Sequence, residues 1–209
     1  MMLPTDVIGV FFLASVALGL APGPDNIFVL THSALYGRRA GFVVTLGLCT
    51  GLLFHTSVVA LGVAAIFQAS TLAFTLLKLI GAGYLLYLAW HSFRAGSSEL
   101  TATGEREVQG LKLYRRGIIM NLTNPKVAMF FLAFLPQFAD PIRGSLPLQI
   151  ASLGVLFIVA TLLVFGLVAW GAGYIGQWLK RSPWAHMWMG HIAGAVFVGL
   201  ALRLVSVER

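Results

Sequence analysis

Between Arg39 and Lys78 the chain runs for 38 residues without a formal charge, and no other feature limits its fold as strongly. A helix rises about 1.5 Å per residue, so about 20 apolar residues cross the roughly 30 Å hydrocarbon core of a bilayer. This run therefore holds one full span, about Gly41–Phe67, a short polar turn at Gln68-Ala69-Ser70-Thr71, and the beginning of a second span. Composition points the same way. Of 209 residues, 58% are hydrophobic and 10% charged, whereas soluble domains carry roughly 45–50% and about 25%. A soluble domain this apolar would expose large hydrophobic patches to water. The chain reads as an all-α integral membrane protein.

Several other classes fall away. The formal net charge of +7 would point to nucleic acid in a soluble chain. Here the basic residues lie between apolar runs, not in a stripe interleaved with aromatics, so no nucleic-acid partner is expected. The single cysteine, Cys49, lies inside an apolar run, which excludes an internal disulfide and any thiolate-rich metal centre. No metal ligand set and no cofactor motif is present. Met1–Asp6 has no Lys or Arg, so Val7–Ala21 is expected to be a retained first span, not a signal peptide.

Charges punctuate the remaining spans. Span one, roughly Pro4–Leu35, is interrupted by Ala21-Pro22-Gly23-Pro24-Asp25-Asn26, and span three follows at about Leu72–Phe93. The hydrophilic stretch Arg94–Arg116 comes next. Span four, about Gly117–Phe138, is interrupted by Asn121-Leu122-Thr123-Asn124-Pro125-Lys126. A turn at Asp140–Pro147 leads to span five, about Leu148–Leu179, and Lys180-Arg181 separates it from span six, about Trp184–Leu204. The expectation is one membrane domain over residues 1–209. Six transmembrane helices form two three-helix repeats (about 1–93 and 117–209) joined by the 94–116 loop.

Positive charge sets the orientation. Arg38, Arg39, Arg94, Arg106, Lys112, Arg115, Arg116, Lys180 and Arg181 fall on one side, whereas Arg143, Arg203 and Arg209 fall on the other. Nine against three places both termini outside and the 94–116 loop in the cytoplasm. Three spans per half is an odd number, so the two repeats insert with inverted topology. Each opens with a proline-broken helix, and paired breaks at corresponding positions of inverted halves mark the substrate site of a secondary transporter. The competing reading is a pair of packing kinks, but charges accompany both breaks.

The breaks have a definite chemistry. Pro22 and Pro24 lack an N–H, which leaves the carbonyls of Leu18 and Leu20 without helical donors; Pro125 does the same to Asn121. Gly23 brings backbone close to whatever lies there. A helix restarting near Asp25-Asn26 aims its first N–H groups and its positive dipole end into the gap. Asp25 is the only acidic residue between Asp6 and Glu99, and Lys126 follows its break proline directly. Unpartnered at mid-membrane the two would together cost about 5–7 kcal/mol, so they are expected to face each other across the pseudo-symmetric centre. A permanent clamp between the halves is one reading of such a pair. The other is a pair opened by a zwitterionic amino acid. Its carboxylate goes to Lys126 or a half-helix N-terminus and its ammonium to freed carbonyls and Asp25, with Asn26, Asn121 and Asn124 adding neutral hydrogen bonds. Asp25 is the natural proton acceptor for coupling. His55, near the middle of span two, serves either a proton relay or a plain hydrogen bond to a carbonyl.

Other patterns have duller readings. Gly171-Ala172-Gly173-Tyr174-Ile175-Gly176 spells a dinucleotide fingerprint, but no strand precedes it and no acid follows at the required distance. The GxxxG patterns at Gly47–Gly51 and Gly190–Gly194 serve packing within one protomer or a homodimer. Lys78, His32 and Arg203 are expected to snorkel from helix ends. Trp170, Tyr174, Trp178, Trp184 and Trp188 make an interfacial belt facing lipid headgroups.

At Leu20-Ala21-Pro22-Gly23-Pro24-Asp25-Asn26, and at Asn124-Pro125-Lys126 followed by Phe130-Phe131-Leu132-Ala133-Phe134-Leu135-Pro136-Gln137-Phe138, the sequence resembles the LysE/RhtB family of bacterial amino-acid exporters. Length and hydrophobic segmentation resemble it throughout, and the chain looks nearer the RhtB branch (homoserine, threonine, leucine) than the exporters of basic amino acids. The resemblance implies a multi-pass protein of the bacterial inner membrane. It would export amino acids or their derivatives using the proton motive force, with family roles at Asp25 and Asn124-Pro125-Lys126. An enzyme is not expected, since no nucleophile motif, HExxH or paired carboxylates occur. The alternatives are a non-enzymatic accessory subunit or channel, or an exporter of another small solute such as a basic amino acid or cation.

Overall fold

The computed structural model describes residues 3–21, 23–69, 71–94, 110–181 and 183–206. Among these residues every regular element is helical. In chain order they are α1 (Thr5–Leu20), α2 (Pro24–Tyr36), α3 (Arg38–Ala69), α4 (Thr71–Arg94), α5 (Gly110–Thr123), α6 (Pro125–Met129), α7 (Leu146–Arg181) and α8 (Pro183–Ser206). By length and apolarity α3 and α7 each suffice to cross a membrane, and the bent pairs α1–α2 and Gly110–Thr123 with Pro125–Phe138 raise the number of candidate spans to four. The pairs bend by 62° and 52°.

Local chemistry explains both bends. Helix α1 stops at Leu20, where prolines deny donors to the preceding turn. Helix α2 restarts with Pro24 in its first turn, where the missing N–H costs nothing, and with Asp25 beside the positive dipole end. It ends at Gly37, whose φ of +84° favours glycine. The second break falls at Asn124, and α6 begins with Pro125.

Two boundaries differ from expectation. The helix expected as the fourth span begins at Gly110, so Lys112, Arg115 and Arg116 ride on a helix and not in a loop. Leu113, Gly117 and Asn121 are buried at four-residue spacing while Lys112 and Arg115 stay exposed, the pattern of a helix whose charged face reaches toward the interface. The span also does not continue as a plain α-helix after Pro125. Residues Phe130–Phe134 are π-helical and Leu135–Phe138 form a 3₁₀ turn. Pro136 cannot donate to Leu132, and the Leu135 N–H reaches back five residues to the Phe130 carbonyl. Residues 95–109, the remainder of the expected loop, lie outside the described residues.

Two apolar cores flank the breaks. One joins α1, α4, α7, α8 and the π-helical segment. At its centre Phe11, Phe130, Phe131, Phe134, Phe138 and Phe157 interlock, with ring centroids 4.8 Å apart for Phe130–Phe134 and 5.1 Å for Phe11–Phe138. The other packs Val29, Val44, Leu48, Leu113 and Phe165 between α2, α3, α5 and α7. Between α3 and α5 the backbones themselves touch. A methyl group on Gly47 would run into the Tyr114 carbonyl oxygen, and one on Gly117 into that of Val44. Gly51 lies against Asn121, and Gly194 against Phe93 of α4. These glycines of the GxxxG patterns are thus used for packing inside the protomer. Gly171–Gly176 lies within the unbroken α7, with no strand before it.

Candidate functional site

The fold brings the two breaks together. Asp25 from the first turn of α2 and Lys126 from the first turn of α6 line one small cavity of about 20 Å³, with Leu18, Gly19, Asn121 and Thr161. All its polar members are withdrawn from the surface: Asp25 is 3% exposed, Lys126 7%, Asn121 2% and Thr161 6%, and nearby Asn124 is buried too. A cavity of that size holds about one water molecule.

Lys126 is tied to the first break. Its Nζ donates to the carbonyl oxygens of Leu18 at 3.1 Å and Ala21 at 3.0 Å. Leu18 is the acceptor that proline chemistry exposes, as expected. The second is Ala21, not the expected Leu20, because in a continuous helix the partner of Ala21 would be the N–H of Asp25, which the turn carries away. Gly23 makes the approach possible, since a Cβ there would lie 3.0 Å from Nζ. Asn26 contributes too, its Nδ2 donating to the Gly19 carbonyl. Pro22 lies outside the described residues, and Pro24 is an exposed start to α2.

Asp25 faces Lys126 and Asn124, but among the described residues no ion pair within 4.0 Å joins the acid to the lysine. Its Oδ1 is buried with no hydrogen-bond partner, as are Oδ1 of Asn26 and of Asn121 and Nδ2 of Asn124. Buried polar atoms are nearly always satisfied. Four such atoms gathered around the two helix breaks make this the candidate site for a polar ligand.

The second break is held differently. The Asn124 side chain caps α6, its Oδ1 accepting from the Lys126 N–H at 3.0 Å. The Asn121 carbonyl, freed by Pro125, accepts from the Asn124 N–H at 3.1 Å and faces His55 Nε2 at 3.3 Å. His55 thus takes the plainer of its two expected positions, against a carbonyl, with its ring 5.7 Å from that of Phe131.

Thr161 and Phe157 of α7 and Leu52 of α3 also line the cavity and were not among the expected residues. Thr161 carries a faint signal, being with Ser152 one of the two aliphatic hydroxyls in the 36-residue α7. Away from the site, Lys78 donates to the Val205 carbonyl at 3.4 Å, a capping role at the end of α8 beyond simple snorkelling. Arg38 stacks over Trp170 and Arg94 over Trp90, at 5.3 and 4.0 Å, as basic residues do at an interfacial belt. The side chains of Tyr174, Trp178, Trp184 and Arg203 lie outside the described residues.

Long apolar helices broken around a buried polar centre define an all-helical membrane protein of the transporter class. The LysE type translocator family model matches residues 16–207, and the chain belongs to that family. It is 37% identical to the homoserine/homoserine lactone efflux protein of Salmonella typhimurium over 199 residues, covering 95% of each chain. It is 33% identical to an uncharacterized membrane protein of Vibrio cholerae, over 95% of this chain and 96% of that one. It is 26% identical to the leucine efflux protein of an Enterobacter species, over 98% and 95%. No solved structure matches. The family is one of translocators, not enzymes, and the names of these relatives fall on the homoserine and leucine side, as the resemblance implied.

Proposed function

We propose that this chain exports small neutral amino acids or their derivatives from the bacterial cytoplasm in exchange for protons, binding them where the two helix breaks meet. One observation carries the reading: two proline breaks far apart in sequence converge on a cavity lined by a buried acid, a buried lysine and Asn121, with unsatisfied polar atoms on Asp25 and Asn121. Broken helices lining a midplane cavity are the usual construction of a secondary transporter's site. Asp25 is the proton acceptor, and its unpartnered Oδ1 favours this over a permanent clamp. His55 assists from the second break by holding the Asn121 carbonyl.

In this reading α1–α2, α3, α4, α5 with α6, α7 and α8 are six spans of one domain in two inverted repeats, in the inner membrane with both termini outside. The packing pattern supports the repeat. Helix α7 lies against α1 and α2 as α3 lies against α5, and the third helices of the two halves, α4 and α8, pack on each other. Exposed leucines such as Leu13, Leu61 and Leu167 face lipid.

The named cargo of the Salmonella relative narrows the chemistry. Homoserine and its lactone share a primary ammonium, whereas only homoserine has a free carboxylate. The amino group is therefore the feature a common site must recognise.

The test is efflux from inside-loaded proteoliposomes containing purified protein. Threonine, leucine, homoserine or lysine is loaded in turn, with and without an imposed proton gradient. Gradient-stimulated efflux of a neutral amino acid is expected, falling to the protein-free background in Asp25→Asn that remains folded. Efflux of lysine alone would move the substrate class. No efflux of any, from folded protein, would leave the accessory-subunit reading.

A further inference from the structure

The placement of Lys126 says more than that a cation is present. Its ammonium is seated on two main-chain carbonyls, those of Leu18 and Ala21, at 3.1 and 3.0 Å, and Asp25 lines the same cavity without coming within ion-pair distance. Two carbonyls take two of the three N–H donors of a primary ammonium, and the carboxylate stands further off as its counter-charge. The surrounding cavity of about 20 Å³ has no room for an amino acid while Lys126 fills that place.

We infer that the Leu18 and Ala21 carbonyls form a primary-ammonium seat that Lys126 occupies when the carrier is empty and cedes to the amino group of the substrate. This rests on the proposed export of amine-bearing solutes. The lysine stem is a flexible chain of four carbons, and it passes the bare Gly23, where a Cβ would stand 3.5 Å from Cε and 3.0 Å from Nζ. Once displaced, the ammonium of Lys126 is available to a substrate carboxylate where there is one, and to Asp25 where there is none. The seat therefore demands a primary amine and tolerates loss of the carboxylate. While empty, the site keeps its charges matched.

The probe is methylammonium, the smallest primary ammonium carrying a carbon. A tethered group competes at an effective concentration of millimolar or more, so wild-type protein should show no thermal stabilisation by methylammonium at roughly 10 mM. Lys126→Ala empties the seat and should be stabilised, with an apparent affinity at least about tenfold tighter than that of wild type. Lys126→Met, which keeps the seat filled with an apolar chain, should not respond. If Lys126→Ala does not accumulate in membranes, methylammonium in the growth medium should restore its level. Absence of both stabilisation and rescue would overturn the seat. In wild type, homoserine lactone should stabilise the protein and its N-acetylated form should not; equal stabilisation by both would also overturn it. None of these readouts requires transport. Methylammonium binding in Lys126→Ala with no amino-acid efflux by wild type would retain the seat and remove the export reading, and efflux without binding would do the reverse.

Discussion

The two helix breaks have the same ingredients and opposite means of support. At the second, Asn124 caps the restarting helix with its own side chain, and the freed Asn121 carbonyl has the Asn124 N–H and His55 against it. At the first, Gly23 supplies no side-chain cap, and the carbonyls of Leu18 and Ala21 are held by Lys126 from the other half of the chain. A break capped locally is a fixed part of the scaffold. A break satisfied from across the molecule is conditional, because another donor can take over. In the proposed exporter the first break is the one that exchanges ligand and the second the one that supports it.

The largest expected effect that would break this comparison comes from Lys126→Ala. Removing one member of a buried charged set costs about 3–5 kcal/mol, so membrane level and thermal stability should fall sharply. The double variant Asp25→Asn with Lys126→Gln, which removes both charges, should fall less. Equal losses would mean that charge does not hold the first break. Next in size is Asn124→Ala, which deletes a helix cap and should lower stability by about 1 kcal/mol in thermal unfolding; Asn124→Ser should recover most of it. The smallest is His55→Gln. The Asn121 carbonyl keeps its main-chain donor, so the loss should not exceed about 1 kcal/mol. A collapse of the protein on that substitution would make the second break as conditional as the first.

Much of this asymmetry was hidden in the sequence, although its ingredients were not. Pro22, Pro24 and Pro125 announce where ladders must fail, since a missing N–H is a property of the residue itself. Hence the end of α1, the starts of α2 and α6 and the exposure of the Leu18 and Asn121 carbonyls were legible. Which donor reaches those carbonyls depends on how distant helices pack, and nothing local to Leu18 specifies Lys126. Substitution of Ala21 for Leu20 as the second acceptor has the same origin. The start of α5 was obscured because Lys112, Arg115 and Arg116 read as loop until their burial pattern shows one apolar stripe. The π-helical turn at Phe130–Phe134 depends on Pro136, two residues beyond it, in a run that otherwise has only helical periodicity. Thr161 and Phe157 were invisible because one face of α7 looks as apolar as another until its rotation is known.

The contact of α3 with α5 bears on how such a carrier moves. Where side chains separate two helices, small rotamer changes let one slide along the other. At Gly47 and Gly117 no such layer exists, and a single methyl group at either would meet the facing carbonyl oxygen. These two helices come from different halves of the chain, so in the proposed exporter they would travel as a single beam. A rocking cycle would then put its pivot elsewhere, and the cheapest joint would be the one whose carbonyls are held by a removable hand.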